Sequence, residues 1–172
     1  MYKVLVTDPI SDKGLAILTN AGLEMVYEPS LSPEALNKAV IDVHGWVIRS
    51  GTTITSEHLA LAKNLQVVGR AGVGVDNIDI KAATNKGVLV MNMPDGNTIS
   101  AAEHTMALIS TLSRNIQLGH LGILAGEWNR SNLVGNELKG KTLGIVGLGR
   151  IGREIIKRSL GLEMKILGYD PF

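Results

Sequence analysis

The sequence predicts an α/β protein with two lobes, each built on parallel β-strands. Short apolar runs alternate with helical stretches from the first residue onward, a pattern typical of parallel, doubly wound sheets. The composition agrees, because the 172 residues include 20 glycines but only 3% aromatic residues. Small aliphatic side chains and glycines favour thin strands covered by close-packed helices. A glycine-rich segment at 147–152, between two apolar runs, indicates that the second lobe begins with a β-α-β unit.

The first lobe contains five predicted strands that are separated by helices. The strands are the apolar runs 4–6, 23–27, 46–48, 65–68 and 88–91. The helices are predicted at 11–20, from residue 32, at 55–63 and at 80–85. Ser32, Pro33 and Glu34 show the signals used: a capping hydroxyl, a proline where no N–H is needed, and an acid near the positive helix end. Residues 1–96 are therefore expected to form a flavodoxin-like parallel sheet.

A turn-rich segment at 93–96 marks the boundary between the lobes. The longest helix is predicted after it, at 98–118, with Ser100 and Glu103 as a capping box. A polar loop at 126–140 then leads to a strand at 142–146, a helix at 150–160 and a strand at 165–169. An open nucleotide-binding sheet has about six strands, so residues 97–172 are expected to be the truncated first part of such a domain.

The segment Gly147-Leu148-Gly149-Arg150-Ile151-Gly152 satisfies the pattern G-x-G-x-x-G. The pattern alone is weak, but here it follows a strand, opens a helix and is closed by a second strand, which is the Rossmann context for a dinucleotide. Gly147 permits the tight turn, Gly149 lets the backbone approach a pyrophosphate, and Gly152 allows close packing of the helix. Asp170 follows Gly152 by 18 residues, near the spacing of the ribose-binding acid. The sequence therefore favours NAD over NADP; the alternative is a bare turn with a surface aspartate.

A second glycine pattern, the P-loop match at 135–142, is rejected. A P-loop follows a strand and opens a helix, whereas this segment follows a polar loop and runs into the strand at 142–146.

The composition also excludes several classes of function. There is no cysteine, so thiol nucleophiles and cysteine-based metal sites are excluded. The net charge of +1 offers no basic face for nucleic acid. No apolar stretch reaches the ~18 residues of a membrane span, and no signal segment is recognised, so a cytoplasmic protein is expected. The four histidines lack the spacing of a metal site.

Three segments and their order identify a family resemblance. Residues 68–77 (VGRAGVGVDN), residues 97–103, and the glycine loop followed by Tyr169-Asp170-Pro171 resemble the D-2-hydroxyacid dehydrogenase family, and within it the D-3-phosphoglycerate dehydrogenases. The resemblance implies a substrate-binding lobe at 1–96, an NAD-binding lobe starting at 97, and oxidation of 3-phospho-D-glycerate to 3-phosphohydroxypyruvate in serine biosynthesis. It also implies a small phosphorylated hydroxyacid as the partner molecule.

The resemblance assigns roles to individual residues. Those implied for the substrate are Arg49, Ser50, Gly51, Arg70 and Asn97; those implied for the cofactor are Val73, Gly147, Gly149, Arg150, Ile151, Gly152 and Asp170. Arg49 and Arg70 follow predicted strands, and ligands of open α/β sheets bind at the carboxyl ends of strands. A guanidinium also suits carboxylate and phosphate oxygens; the alternative is two solvated loop arginines. Val73 stands where the family often has threonine, so only a backbone contact could survive there.

The family's catalytic arginine, glutamate and histidine correspond to positions beyond Phe172, so no catalytic residue is assigned and the 172 residues alone are expected to be inactive. Two other functions stay open: another D-2-hydroxyacid dehydrogenase, such as a glyoxylate or hydroxypyruvate reductase, and an NAD-binding corepressor of the same fold. The helix at 98–118 is apolar on more than one face. Because such a helix must be buried on several sides, a homodimer or higher homo-oligomer through residues 98–128 is expected.

Overall fold

The computed structural model describes all 172 residues. They form two compact units, Met1–Gly96 (unit 1) and Asn97–Phe172 (unit 2). No helix in the chain has both the length and the apolar character needed to cross a membrane.

Unit 1 is built on a five-stranded parallel sheet. Its strands are β1 (Lys3–Val6), β2 (Glu24–Tyr27), β3 (Gly45–Ile48), β4 (Val67–Arg70) and β5 (Leu89–Asn92). They lie in the order β2-β1-β3-β4-β5, and every neighbouring pair is parallel. This is the flavodoxin-like strand order, so the predicted α/β fold class is confirmed.

Four helices connect these strands: α1 (Asp12–Asn20), α2 (Pro33–Ala39), α3 (Ser56–Leu61) and α4 (Ile80–Lys86). Each begins after a residue whose side chain accepts a backbone N–H of the first turn, namely Ser11, Ser32, Thr55 and Asp79. Such capping is worth ~1 kcal/mol per helix. The helix α4 ends at Gly87, whose φ of 74° needs the conformational freedom of glycine.

The core of unit 1 surrounds Trp46, which is fully buried with Leu5, Ile48 and Val68. The indole Nε1 of Trp46 donates to Thr7 Oγ1 at 2.9 Å, so its polar atom is satisfied inside the core.

The strand predicted at 65–68 is displaced, because the ladder of β4 runs from Val67 to Arg70. Leu65 is buried in the core but precedes the ladder. Apolar character reports burial, whereas backbone pairing with β3 defines the strand. The displacement places Arg70 as the last residue of β4 rather than in the following loop.

Unit 2 contains two helices followed by a β-α-β unit. Its elements are α5 (Thr98–Ser113), α6 (Ile116–Leu124), a 3₁₀ turn (Arg130–Leu133), β6 (Thr142–Val146), α7 (Arg150–Gly161) and β7 (Lys165–Tyr169). The strands β6 and β7 are parallel and pair from Thr142↔Lys165 to Val146↔Tyr169. The helix α5 packs against α7, where the buried Ser159 donates to Met106 Sδ at 3.4 Å.

The single helix expected at 98–118 is wrong, because the chain breaks between α5 and α6. Asn115 has a left-handed φ of 53°, a conformation that asparagine tolerates better than most residues. Its Nδ2 donates to Val134 O at 3.2 Å, and Asn136 N donates to Ser113 O at 2.7 Å. The segment 134–136 therefore satisfies the end of α5, and the helix stops there.

The capping box of Ser100 and Glu103 is also wrong. The residue preceding α5 is Asn97, and no side chain caps this helix. Ser100 lies within the first turn and donates to Asn97 O at 3.1 Å. Glu103 instead forms an ion pair with Arg158 of α7 at 3.2 Å, so its role is in helix packing.

Candidate substrate and cofactor sites

Two arginines lie at the carboxyl edge of the unit 1 sheet. The strands β3 and β4 are neighbours, and Ile48 pairs with Arg70 in their register. Arg49 directly follows Ile48, so the sheet brings Arg49 and Arg70 to adjacent positions at one edge. Ligands of open α/β sheets bind at this edge.

The Arg70 side chain is held in a defined orientation. Only 10% of it is exposed, and its Nε donates to Asn77 Oδ1 at 2.7 Å. The Nη2 atom lies 3.9 Å from Asp76 Oδ1, whose side chain is 87% exposed. A Cβ added at Gly72 would lie 2.7 Å from Arg70 Nη1, so any side chain there would displace the guanidinium.

Asn77 links Arg70, at the end of β4, to the loop that carries Arg49. Besides accepting from Arg70, its Nδ2 donates to Arg49 O at 2.7 Å and to Thr52 O at 2.5 Å. Sequence reasoning included Asn77 in the family motif but gave it no role. The only available signal was its place at the end of that motif.

Asp8 holds the backbone of the loop that carries Arg49. It is buried, with 6% of the residue exposed, and its Oδ2 accepts from Arg49 N at 2.6 Å and Thr52 N at 3.0 Å. A Cβ at Gly51 would lie 2.5 Å from Asp8 Oδ1, which explains a glycine at that position. Sequence reasoning missed Asp8, because its partners lie 41 and 44 residues further along the chain.

The side chain of Arg49 is exposed and donates from Nη1 to Pro9 O at 3.3 Å. Ser50 beside it is also exposed. A cavity of about 530 Å³ opens next to this loop and is lined in part by Asp8, Gly51 and Thr52. It lies where the strand order reverses between β1 and β3, the usual ligand position in such sheets.

Two predicted residues occupy other places. Val73 is half-buried in the loop after β4, and its carbonyl accepts from Asn92 Nδ2 at 2.6 Å. Asn97 belongs to unit 2, where it precedes α5, and its side chain makes no capping hydrogen bond.

The glycine loop of unit 2 joins β6 to α7. Gly147 has φ 95°, a conformation that side chains rarely adopt. A Cβ at Gly152 would lie 2.2 Å from Gly147 O, so a glycine there lets the first turn of α7 pack directly on the loop. A Cβ at Gly149 would meet no atom within 4 Å. Gly149 therefore borders open space, where a ligand can reach the backbone.

The N-terminus of α7 is suited to an anion. Gly149 precedes the helix, and no side chain caps its first turn, which begins with Arg150 and the half-buried Ile151. An uncapped helix N-terminus directs backbone N–H groups and the positive end of the helix dipole outward. This arrangement binds phosphate groups in nucleotide sites.

Asp170 follows β7 and is tied to the glycine loop. Its Oδ2 accepts from Leu148 N at 2.6 Å, and its Oδ1 accepts from Phe172 N at 3.1 Å. The hydrogen bond from Leu148, then that from Phe172 and the positive charge of Arg153, lower the pKa of Asp170 below its usual 3.8. The carboxylate is thus charged at neutral pH, and about two of its four acceptor positions remain for hydroxyl groups. Its bond to Leu148 was not foreseen from the sequence.

No group of three or more His, Asp or Glu side chains is arranged to hold a metal ion. The charged groups of both sites are instead suited to organic anions and hydroxyl groups.

Comparison with known families shows to which family the chain belongs. Residues 4–164 match the model of the D-isomer specific 2-hydroxyacid dehydrogenase catalytic domain. The chain belongs to this family.

Members of the family match the chain along its whole length. It is 47% identical to the D-3-phosphoglycerate dehydrogenase of Archaeoglobus fulgidus over 170 residues, covering 99% of the chain and 32% of that relative. It is 48% identical to the human D-3-phosphoglycerate dehydrogenase over 171 residues, again covering 99% of the chain and 32% of the relative. The chain thus spans about a third of the length of these relatives.

Solved structures of 2-hydroxyacid dehydrogenases and related proteins share the fold. The TT0316 protein from Thermus thermophilus superposes with a TM-score of 0.91 at 34% identity, covering 99% of this chain and 56% of that one. The NAD⁺-bound 3-phosphoglycerate dehydrogenase from Entamoeba histolytica superposes with a TM-score of 0.81 at 30% identity, covering 99% and 54%.

Proposed function

We propose that this chain is part of an NAD-dependent D-3-phosphoglycerate dehydrogenase, a cytoplasmic enzyme of serine biosynthesis that oxidises 3-phospho-D-glycerate to 3-phosphohydroxypyruvate. The observation that carries the proposal is the match to D-3-phosphoglycerate dehydrogenases over essentially the whole chain, at 47% identity for the archaeal relative and 48% for the human one. Such a match includes both of the sites described above.

Unit 1 is proposed as the substrate-binding lobe. Arg49 and Arg70 lie side by side at the carboxyl edge of its sheet, and two guanidinium groups suit a substrate with two anionic ends, a carboxylate and a phosphate. Ser50, Gly51 and Asn97 are proposed to complete the substrate contacts. No step of proton transfer is assigned to a residue of this chain.

Unit 2 is proposed as the first part of the NAD-binding domain. The residues present fit the cofactor: the loop is open at Gly149, the N-terminus of α7 is uncapped, and Gly152 keeps the helix close to the loop. The backbone of Gly147–Gly152, with Arg150 and Ile151, would hold the pyrophosphate, and Val73 would contribute a backbone contact. When bound, the nicotinamide supplies the hydride acceptor, while the chain provides position and charge.

Asp170 is proposed to select NAD over NADP. Its lowered pKa keeps it charged, so its remaining acceptor positions can receive the ribose hydroxyls. A 2′-phosphate at the same place would meet a negative charge, which the nearby Arg153 offsets only in part.

The whole protein is proposed to be a homodimer or a higher homo-oligomer through residues 98–128. Several large apolar side chains in this region are exposed, including Leu112, Leu118, Leu121, Leu124 and Trp128. An exposed apolar surface of this kind marks an interaction site, and a two-fold interface would bury the same residues of both copies.

The full-length protein provides the test. NADH formation from 3-phospho-D-glycerate is expected, with weaker turnover of D-glycerate, which lacks the phosphate, and of NADP as cofactor. Reduction of glyoxylate or hydroxypyruvate in preference to the phosphorylated pair would contradict the substrate assignment. If the full-length protein turned over no hydroxyacid, the proposal that it is a dehydrogenase would be rejected.

A further inference from the structure

Asn77 makes three hydrogen bonds through one side-chain amide. Its Oδ1 accepts from Arg70 Nε, and its Nδ2 donates to the carbonyls of Arg49 and Thr52. Both ends of the amide are therefore used, one on the guanidinium and the other on the neighbouring loop. The pairing of β3 with β4 already places Arg49 next to Arg70. The three hydrogen bonds of Asn77 are therefore not needed to bring the two arginines together.

We propose that Asn77 is the positioning residue that makes Arg70 grip the substrate anion through its end edge, the pair Nη1 and Nη2. The inference rests on the proposed function and refines it. A guanidinium can bind a carboxylate or phosphate either through Nε with one Nη or through both Nη atoms. Nε donates its hydrogen to Asn77 Oδ1 at 2.7 Å. Only the end edge therefore keeps two parallel donors for an anion.

The end edge of Arg70 has a single, weak ionic competitor for an anion. Its one ion pair, with Asp76, has a separation of 3.9 Å and an acid that is 87% exposed. Such a pair contributes little because water and salt screen it, so a substrate anion can compete with it. Gly72 and Gly74 lie beside Nη1 and carry no side chain; Cβ atoms there would lie 2.7 and 3.7 Å from it.

The Nδ2 group of Asn77 fixes the position of the Arg70 end edge relative to Arg49. Its two bonds to carbonyl oxygens hold Asn77 against the loop that carries Arg49. Aspartate at this position would offer no donor to those carbonyls and would add a charge beside Arg70. Glutamine would add a methylene and move the amide. Asparagine alone satisfies the guanidinium and both carbonyls at this distance.

A double-mutant cycle in the full-length protein tests the inference. The variants are Asn77→Ala, Arg70→Lys and the double variant, and the readouts are KM and kcat for 3-phosphoglycerate and its equilibrium binding by calorimetry. A lysine has no Nε for Asn77 to hold. With Arg70 intact, Asn77→Ala is therefore expected to raise KM about tenfold, the effect of one charged hydrogen bond, with kcat nearly unchanged. In the Arg70→Lys background the same substitution should change KM by less than about twofold.

Asn85→Ala provides the matched control, because Asn85 is an exposed amide on α4 of the same unit; its KM should equal that of the wild type. An equal KM effect of Asn77→Ala in both backgrounds would show that Asn77 only stabilises the loop, and would overturn the inference. So would an unchanged KM in Asn77→Ala.

A crystal structure of the wild-type complex with 3-phosphoglycerate covers the case in which Asn77→Ala fails to fold. It should show substrate oxygens on Nη1 and Nη2 with Nε still on Asn77; oxygens on Nε would overturn the inference. If the wild type neither binds nor oxidises 3-phosphoglycerate, the proposed function fails together with this inference. If the KM effects of the two substitutions were additive, only the proposed role of Asn77 would be rejected, and the proposed function would stand.

Discussion

Replacing Gly152 with alanine tests the packing of α7 on the glycine loop. The added Cβ would lie 2.2 Å from Gly147 O, whereas carbon–oxygen contacts are normally at least about 3.3 Å. The helix or the loop must therefore move by about 1 Å. Overpacking of this kind costs about 1–3 kcal/mol, and the better helix propensity of alanine returns at most ~1 kcal/mol. With the full return subtracted, a net loss of about 0–2 kcal/mol in the free energy of unfolding is expected.

The same movement changes the backbone that is proposed to hold the cofactor pyrophosphate, so NAD binding should weaken as well. Urea denaturation followed by circular dichroism measures the stability, and calorimetry with NAD measures the binding. Gly161→Ala is the matched control in the same helix, because a Cβ there meets no atom within 4 Å. That variant should be as stable as the wild type or up to ~1 kcal/mol more stable, with unchanged NAD binding. If Gly152→Ala behaved like Gly161→Ala in both measurements, the close packing would not be what requires glycine.

Three further predictions concern the full-length protein. Arg49→Lys and Arg70→Lys should each raise KM for 3-phosphoglycerate, because lysine keeps the charge but loses the planar fork; wild-type kinetics in both would remove these residues from the site. Asp170→Asn should bind NAD more weakly and discriminate less against NADP, as calorimetry with both cofactors will show. Because the folded pKa of Asp170 is lowered from 3.8, its contribution to stability is complete above that pH and is lost as the pH falls through the folded pKa. The stability difference between wild type and Asp170→Asn should therefore shrink in acid, and a constant difference would contradict the charge assignment. Leu112→Glu, at a side chain that is 77% exposed, should shift the dimer towards monomer in light scattering; a monomeric wild type at micromolar concentration would refute the proposed interface.

Local signals in the sequence determined much of the fold. The helix starts at Ser11, Ser32 and Thr55 could be predicted because a capping side chain bonds to a backbone group three residues away. The strands β6 and β7 have the predicted bounds, since each is an apolar run limited by polar or turn residues. The alternation of these elements was enough to predict the parallel sheet. The glycine loop was recognisable because its residues are consecutive.

Only the tertiary structure decided the features that depend on distant partners. The end of α5 could not be predicted, because it is set by Asn136 and Val134, which reach back to Ser113 and Asn115. The bounds of β4 depend on pairing with β3, which apolar character does not report. Within the candidate site, Arg49 and Arg70 could be proposed from the family resemblance. Asp8 and Asn77 hold the backbone of the loop that carries Arg49, and they reach it across 41 and 28 positions of the chain. A hydrogen bond over such a separation leaves no periodic or local pattern in the sequence, so only folding brings its donor and acceptor together.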